Sequence, residues 1–140
     1  MKNKVIDELK RIASENDGIL QPETVVEKAR LFSSPLHSRF EWDNTVAGHN
    51  YRLWQARQLI RVVVEVIKGT DESSVVFVSL STDRKHDGGY RVMTEVLSNE
   101  QLRNQMLADA LFELEIFRDK YKQLRELAAI FSAIKKIRRK

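Results

Sequence analysis

From Leu107 onward an apolar residue returns every three or four positions, at Leu107, Ala110, Leu114, Phe117, Tyr121, Leu124, Ala128 and Phe131. That spacing holds a single stripe on one side of an α-helix. Because it is sustained over more than three heptads, it favours a coiled-coil seam over the surface helix of a single domain. Ser98 with Gln101 three residues later reads as a capping box, and neither Gly nor Pro occurs from there to Lys140. A helix of about 40 residues is ~60 Å long at ~1.5 Å per residue. A domain of about 95 residues has a radius of gyration near ~12 Å, too small to cover such a rod. Self-association through residues 107–134, as a homodimer or higher oligomer, is therefore expected, and a helix that breaks and folds back is the alternative. Phe117, Tyr121 and Phe131 depart from a simple leucine zipper and also suit the seating of a partner's helix.

A second concentration of information lies at residues 36–61, LHSRFEWDNTVAGHNYRLWQARQLIR, which hold both tryptophans and two of the three histidines. Asp43 or Asn44 is expected to cap a helix over residues 45–60, since a short polar side chain satisfies the first N–H groups. Gly48 weakens its first turn by about 1 kcal/mol relative to Ala, which hints at a close approach to the backbone. At 100° per residue the helix carries two apolar lines, Val46, Leu53, Ala56 and Ile60, then Ala47, Tyr51 and Trp54. Asn50, Arg57 and Arg61 fall between them, with Gly48, Arg52 and Gln55 on the far side. Such a helix is expected to be gripped on two sides. It reads either as a core helix with snorkelling arginines or as a nucleic-acid reading helix.

Charge restrains the second reading. The tail 135–140, KKIRRK, carries five cations against a net charge of +4 for the chain, so residues 1–134 sum to −1. The basicity that remains is local: residues 45–61 hold Arg52, Arg57 and Arg61 and no acid. For the tail, a solvated helix end stabilised by the macrodipole competes with an electrostatic contact to nucleic acid or an anionic surface through Lys135, Lys136, Arg138 and Arg139. Hydrophobic content of 42% with 31% charged residues is that of an ordinary globular protein. The charged amphipathic N-terminus is neither a signal peptide nor a membrane span, so a cytoplasmic protein without membrane contact is expected.

In chain order, Val5, Ile6, Leu9, Ile12 and Ala13 predict a helix over residues 2–14, closed by an Asp17-Gly18 turn. Pro22 opens a second helix to about residue 31, and Pro35 prevents that helix from continuing. The runs 61–68 and 75–81 predict a hairpin across GTDESS. A loop, TDRKHDGG, then leads to a third strand, YRVMTEV, giving a three-stranded antiparallel meander. Only this second loop, through Arg84 and Lys85, is suited to face a phosphate.

The order helix, helix, longer helix, hairpin resembles a winged-helix DNA-binding module, in which the third helix enters the major groove and the hairpin loop touches the backbone. The resemblance covers residues 2–81 and is one of topology. It implies Asn50, Arg52 and Gln55 as groove readers, with Arg57 and Arg61 as packing or phosphate contacts. The sequence departs from the pattern in the stretch from Leu31 to Asn44, longer than the roughly 3–4-residue turn of such modules. The first hairpin tip, Asp71-Glu72, is acidic, which passes backbone contact to Arg84 and Lys85. The 36–61 string is also similar to a group of short phage and prophage proteins, in its ordered Trp, Asp, Tyr and Gln-Ala-Arg positions. This implies a viral or mobile-element setting and transfers no activity.

There is no cysteine, phosphate-cradling glycine loop, HExxH or nucleophile elbow. His37, Glu41, Asp43 and His49 are the one cluster of acid–base or ligand types, and capping, core hydrogen bonding and surface exposure account for them without chemistry. The expectation is an α+β protein: a winged-helix-like domain over 1–96, of three helices and a three-stranded meander, then a long dimerising helix with a basic tail over 97–140. Its expected role is that of a non-enzymatic, dimeric, phage-type protein binding double-stranded DNA, with no cofactor or metal. The alternative is an assembly factor that binds a phage or host protein through the C-terminal helix and the central aromatic patch.

Overall fold

A computed structural model describes residues 2–42, 45–86 and 88–137. The first helix, α1 (Lys2–Ser14), turns Val5, Ile6, Leu9, Ile12 and Ala13 inward, none more than 5% exposed. It stops where Asp17 and Gly18 take positive φ, 55° and 81°, and the Gly18 N–H returns to the Ala13 carbonyl. Gly and Asp enter that left-handed region more easily than other residues, so the reversal is written locally. After β1 (Ile19–Leu20), Pro22 opens α2 (Pro22–Ala29), where a missing N–H leaves no hydrogen bond unmade. Leu20, Val25, Val26 and Ala29 are fully buried.

The connector to the next helix is ordered by its own apolar residues. Leu36 and Phe40 enter the core on either side of a 3-10 turn, His37–Arg39. The third helix, α3 (Val46–Val62), is capped by Thr45, whose side chain accepts the Gly48 N–H at 3.0 Å. Asp43 and Asn44, the expected caps, lie outside the described residues. Only one side of α3 is gripped: Gly48, Arg52, Ala56, Leu59 and Ile60 are buried, while Val46, Tyr51 and Trp54 face outward.

The strands depart most from expectation. β2 (Val64–Val66) and β3 (Ser73–Val75) form a hairpin, Val64 opposite Val75 and Val66 opposite Ser73, but residues 61 and 62 belong to α3 and β3 takes Ser73 and Ser74 from the expected turn and only Val75 from the expected second strand. The run then changes sheets at Val76. Its N–H donates to the Val63 carbonyl on the hairpin side, and its own carbonyl accepts the Met93 N–H at 2.7 Å. β4 (Phe77–Val78) therefore pairs with β5 (Tyr90–Val92), whose other edge takes β1, in the antiparallel order β1-β5-β4. The expected meander is thus two small sheets. Burial makes the division, since Val76, Phe77 and Val92 enter the core while Val64, Val66 and Val75 stay at least 41% exposed. The expected loop over 82–89 contains a helix, α4 (Ser81–His86), and the expected third strand ends at Val92, where α5 (Met93–Ser98) begins.

Ser98 closes α5, its hydroxyl donating to the Glu95 carbonyl, so it does not form the expected capping box. Asn99 caps α6 (Glu100–Tyr121) instead, accepting the Leu102 N–H at 3.0 Å. The expected rod is not formed. α6 ends at Tyr121, a 3-10 turn comes next at Arg125–Leu127, and α7 (Ala128–Lys135) lies back on α6. Leu111, Phe131 and Ile134 make a second apolar cluster with Tyr121 and Leu127, apart from the main core. The Phe117 ring meets those of Tyr121 at 4.7 Å and Phe131 at 6.2 Å. The stripe is thereby divided: Phe131 is buried within the chain, whereas Leu107, Leu114 and Leu124 remain exposed. No helix among the described residues is long and apolar enough to cross a membrane.

Candidate nucleic-acid interface

Because α3 buries the side bearing Gly48, Arg52, Ala56, Leu59 and Ile60, its 3.6-residue period turns Ala47, Asn50, Tyr51, Trp54, Arg57, Gln58 and Arg61 outward. This ridge carries no acid. Its C-terminal half forms one wall of a cleft of about 440 Å³, where Arg57 and Arg61 meet Arg84 of α4. The start of α2 with Gln21, Ser79, the Gly88–Tyr90 segment and Glu113 of α6 complete the lining. Three guanidinium groups face two carboxylates, those of Glu23 and Glu113. Planar guanidinium forks make paired hydrogen bonds to phosphate, so the chemistry on offer is anion contact.

The position of Arg84 is built from several elements. Its Nη1 donates to the Ser79 carbonyl at 2.8 Å. The neighbouring Asp83, nearly buried, receives a two-point contact from Arg91 of β5, Nε to Oδ2 at 2.7 Å and Nη2 to Oδ1 at 2.9 Å. Hydrogen bonding to Asp83 holds Arg91 further toward its charged form than usual, against partial desolvation. The other end of α4 is held by α6: Asp109 accepts both the Ser81 N–H and hydroxyl, and Thr82 donates to Gln105. Elsewhere in the lining, the chain at Gly89 passes so close to β1 that a Cβ there would lie 2.6 Å from Ile19 Cγ2. With φ at +103°, that position requires glycine.

The expected contact residues are distributed unequally. Arg57, Arg61 and Arg84 share the cleft, and Asn50 stands exposed on the same face of α3. Lys85 is exposed on α4 but does not line the cleft. Arg52, expected in the groove, is 2% exposed. Its Nη1 donates to the Glu41 carbonyl at 3.3 Å, and its guanidinium lies 5.4 Å from the Trp42 ring centre. Gln55 is also committed, accepting the Glu41 N–H at 3.0 Å. Both side chains fasten the long connector to α3, which removes them from base reading. Lys135 and Lys136 are exposed at the end of α7. Because α7 folds back, Lys135 sits beside Arg118 and Leu111 rather than at the tip of a rod. Arg138 and Arg139 lie outside the described residues.

Among the described residues, the remaining acid–base candidates do not converge. His37 donates Nδ1–H to the Ala29 carbonyl at 2.9 Å and stacks on Trp42, while Glu41 and His49 are exposed. Among the described residues, no three His, Cys, Asp or Glu side chains are grouped to hold a metal ion. Sequence reasoning missed Asp83, Arg91 and Asp109. Their partners are 8 and 28 residues away, beyond any local spacing rule. Comparison of the chain with protein-family models, with curated proteins and with solved structures found no match.

Proposed function

We propose that this chain is a non-enzymatic, phage- or prophage-type DNA-binding protein of winged-helix-like architecture. In this reading α3 lies along the groove of a duplex and the β4–β5 connection touches the phosphate backbone. The observation that carries it is the shared cleft, in which Arg57 and Arg61 of α3 meet Arg84 of the β4–β5 connection beside an acid-free ridge. Three helices, and after them β4 and β5 paired antiparallel across α4 with β1 on the far edge of β5, support the architecture. The acidic β2–β3 hairpin is an insertion in this scheme and has no part in the contact. Asn50 is the remaining candidate for base reading.

The test is duplex binding as a function of salt. Affinity is expected to fall steeply as salt rises. The triple variant Arg57→Ala, Arg61→Ala, Arg84→Ala should flatten the log–log slope by about 2 to 3, near 0.9 for each phosphate no longer neutralised. Absence of duplex binding at about 50 mM salt would overturn the proposal.

A second reading, an assembly role through the C-terminal helices, is favoured by one observation. Leu111 is the buried residue of the 22-residue α6, while Leu107, Phe112, Leu114, Ile116 and Phe117 are 37–60% exposed. At 100° per residue Leu107, Leu114 and Phe117 share one side of α6 and Phe112 and Ile116 the other, and the first group is the candidate interface. A second copy of the chain is the proposed occupant, which would place two α3 ridges in one particle.

A further inference from the structure

The ridge of α3 carries a feature that phosphate contact leaves unused. Tyr51 and Trp54, three residues apart on the helix, stack with ring centres 5.7 Å apart and planes 15° apart. Each is about half open to solvent, at 49% and 52%. Large rings held flat against one another in water forgo burial that inward positions on the same helix would provide. The helix itself is selective in charge, since residues 45–61 include no Asp or Glu. Arg57 lies three residues beyond Trp54 and Arg61 seven, on the same outward face.

An intact duplex offers a groove-facing helix base edges and thymine methyl groups, not the flat face of a base. A ring platform beside cations is instead the arrangement that receives an unstacked base while its phosphate meets a guanidinium. We propose that the Tyr51–Trp54 pair is a stacking platform for an unpaired nucleobase, so that the preferred ligand is duplex DNA interrupted by extruded or single-stranded bases. This deepens the DNA-binding reading above and rests on it.

The test compares a short duplex carrying a central thymidine bulge with the same duplex fully paired, using the full chain. Binding is followed by anisotropy of labelled DNA and by tryptophan emission. Wild-type protein is expected to prefer the bulged duplex by about ten-fold, the range of one base–aromatic stack. Its emission should be quenched by the bulged duplex and little by the paired one. Trp54→Leu, at an exposed position, is expected to keep the helical circular dichroism, to bring the ratio of the two affinities toward one and to abolish the quench. Trp54→Phe, which retains a ring, should restore most of the preference. Equal binding of the two duplexes by wild type, or a preference that survives Trp54→Leu, overturns the platform while leaving duplex binding in place. Binding to neither duplex overturns both.

Discussion

A guanidinium is tolerated inside a protein only where its charge and its donors are met. Arg52 meets that condition only in part: it lies over the Trp42 ring and Nη1 donates to the Glu41 carbonyl, while Nε is buried without an acceptor. Trp42 in turn stacks on His37 at 5.0 Å and donates its Nε1–H to the His37 carbonyl at 3.0 Å, and Arg30 approaches its ring at 5.5 Å. These contacts account for much of the density of aromatic and polar residues in the 36–61 window: they shape a long connector. Arg52→Ala is expected to destabilise the fold by about 2–4 kcal/mol, through the missing ring stacking and a carbonyl left without its donor. Arg52→Lys should recover little, because an ammonium lacks the planar stacking surface. Denaturant unfolding measures both. The salt slope of duplex binding should be unchanged in the folded fraction, and a stable Arg52→Ala variant with a flattened slope would contradict its interior role.

Among the elements, α4 depends most on its surroundings. Six residues are too few to hold a helix in water, because nucleation is unfavourable and little propagation is available to offset it. It persists because Asp109 receives the donors of Ser81 and because Arg91 grips Asp83 from β5. The strands it joins are shorter still, at two and three residues, and Arg84 is placed by these side-chain contacts together with the Ser79 carbonyl that accepts its Nη1–H. Asp83→Ala is expected to cost on the order of 2–3 kcal/mol, as a charge-assisted pair is removed and Arg91 is left partly desolvated. It should also lower duplex affinity several-fold without removing a DNA contact. Adding Arg84→Ala to Asp83→Ala should then cost less affinity than Arg84→Ala alone. A double-mutant cycle in binding measures that coupling, and simple additivity would disconnect α4 from the placement of Arg84.

For the whole molecule, the question is what covers α6. The fold-back of α7 shields Leu111 and takes Phe131 and Ile134 inside, yet leaves Phe112, Leu114, Ile116 and Ile130 open. Sedimentation equilibrium at about tens of micromolar is expected to find a dimer, and Leu114→Glu to convert it to monomer by burying an unpaired carboxylate at the interface. A wild-type monomer would remove the second copy from the proposal. In the dimer, the two α3 ridges belong to one particle, and the binding slope per particle should be about twice that of the Leu114→Glu monomer.

Local rules made part of this fold legible. The burial period of α1, the Asp17-Gly18 reversal, the Pro22 start of α2, the extent of α3 to within two residues and the first strand and turn of the β2–β3 hairpin, though not its second strand, all come from spacing, caps and turn chemistry inside a few residues. The grouping of Arg57, Arg61 and Arg84 was legible only as three separate basic positions. Tertiary structure decided the rest. A stripe repeating every 3.5 residues is satisfied equally by another chain or by its own continuation folded back, and no Gly or Pro marks the break after Tyr121. Burial of Phe131 and Ile134 against Leu111 selects the fold-back. An unbroken β-branched run does not say where it changes sheets, and Val76 does so because its donor and acceptor find different partners. Periodicity also cannot tell which polar side of a helix turns inward, and for Arg52 the answer came from a ring and a carbonyl ten or more residues away.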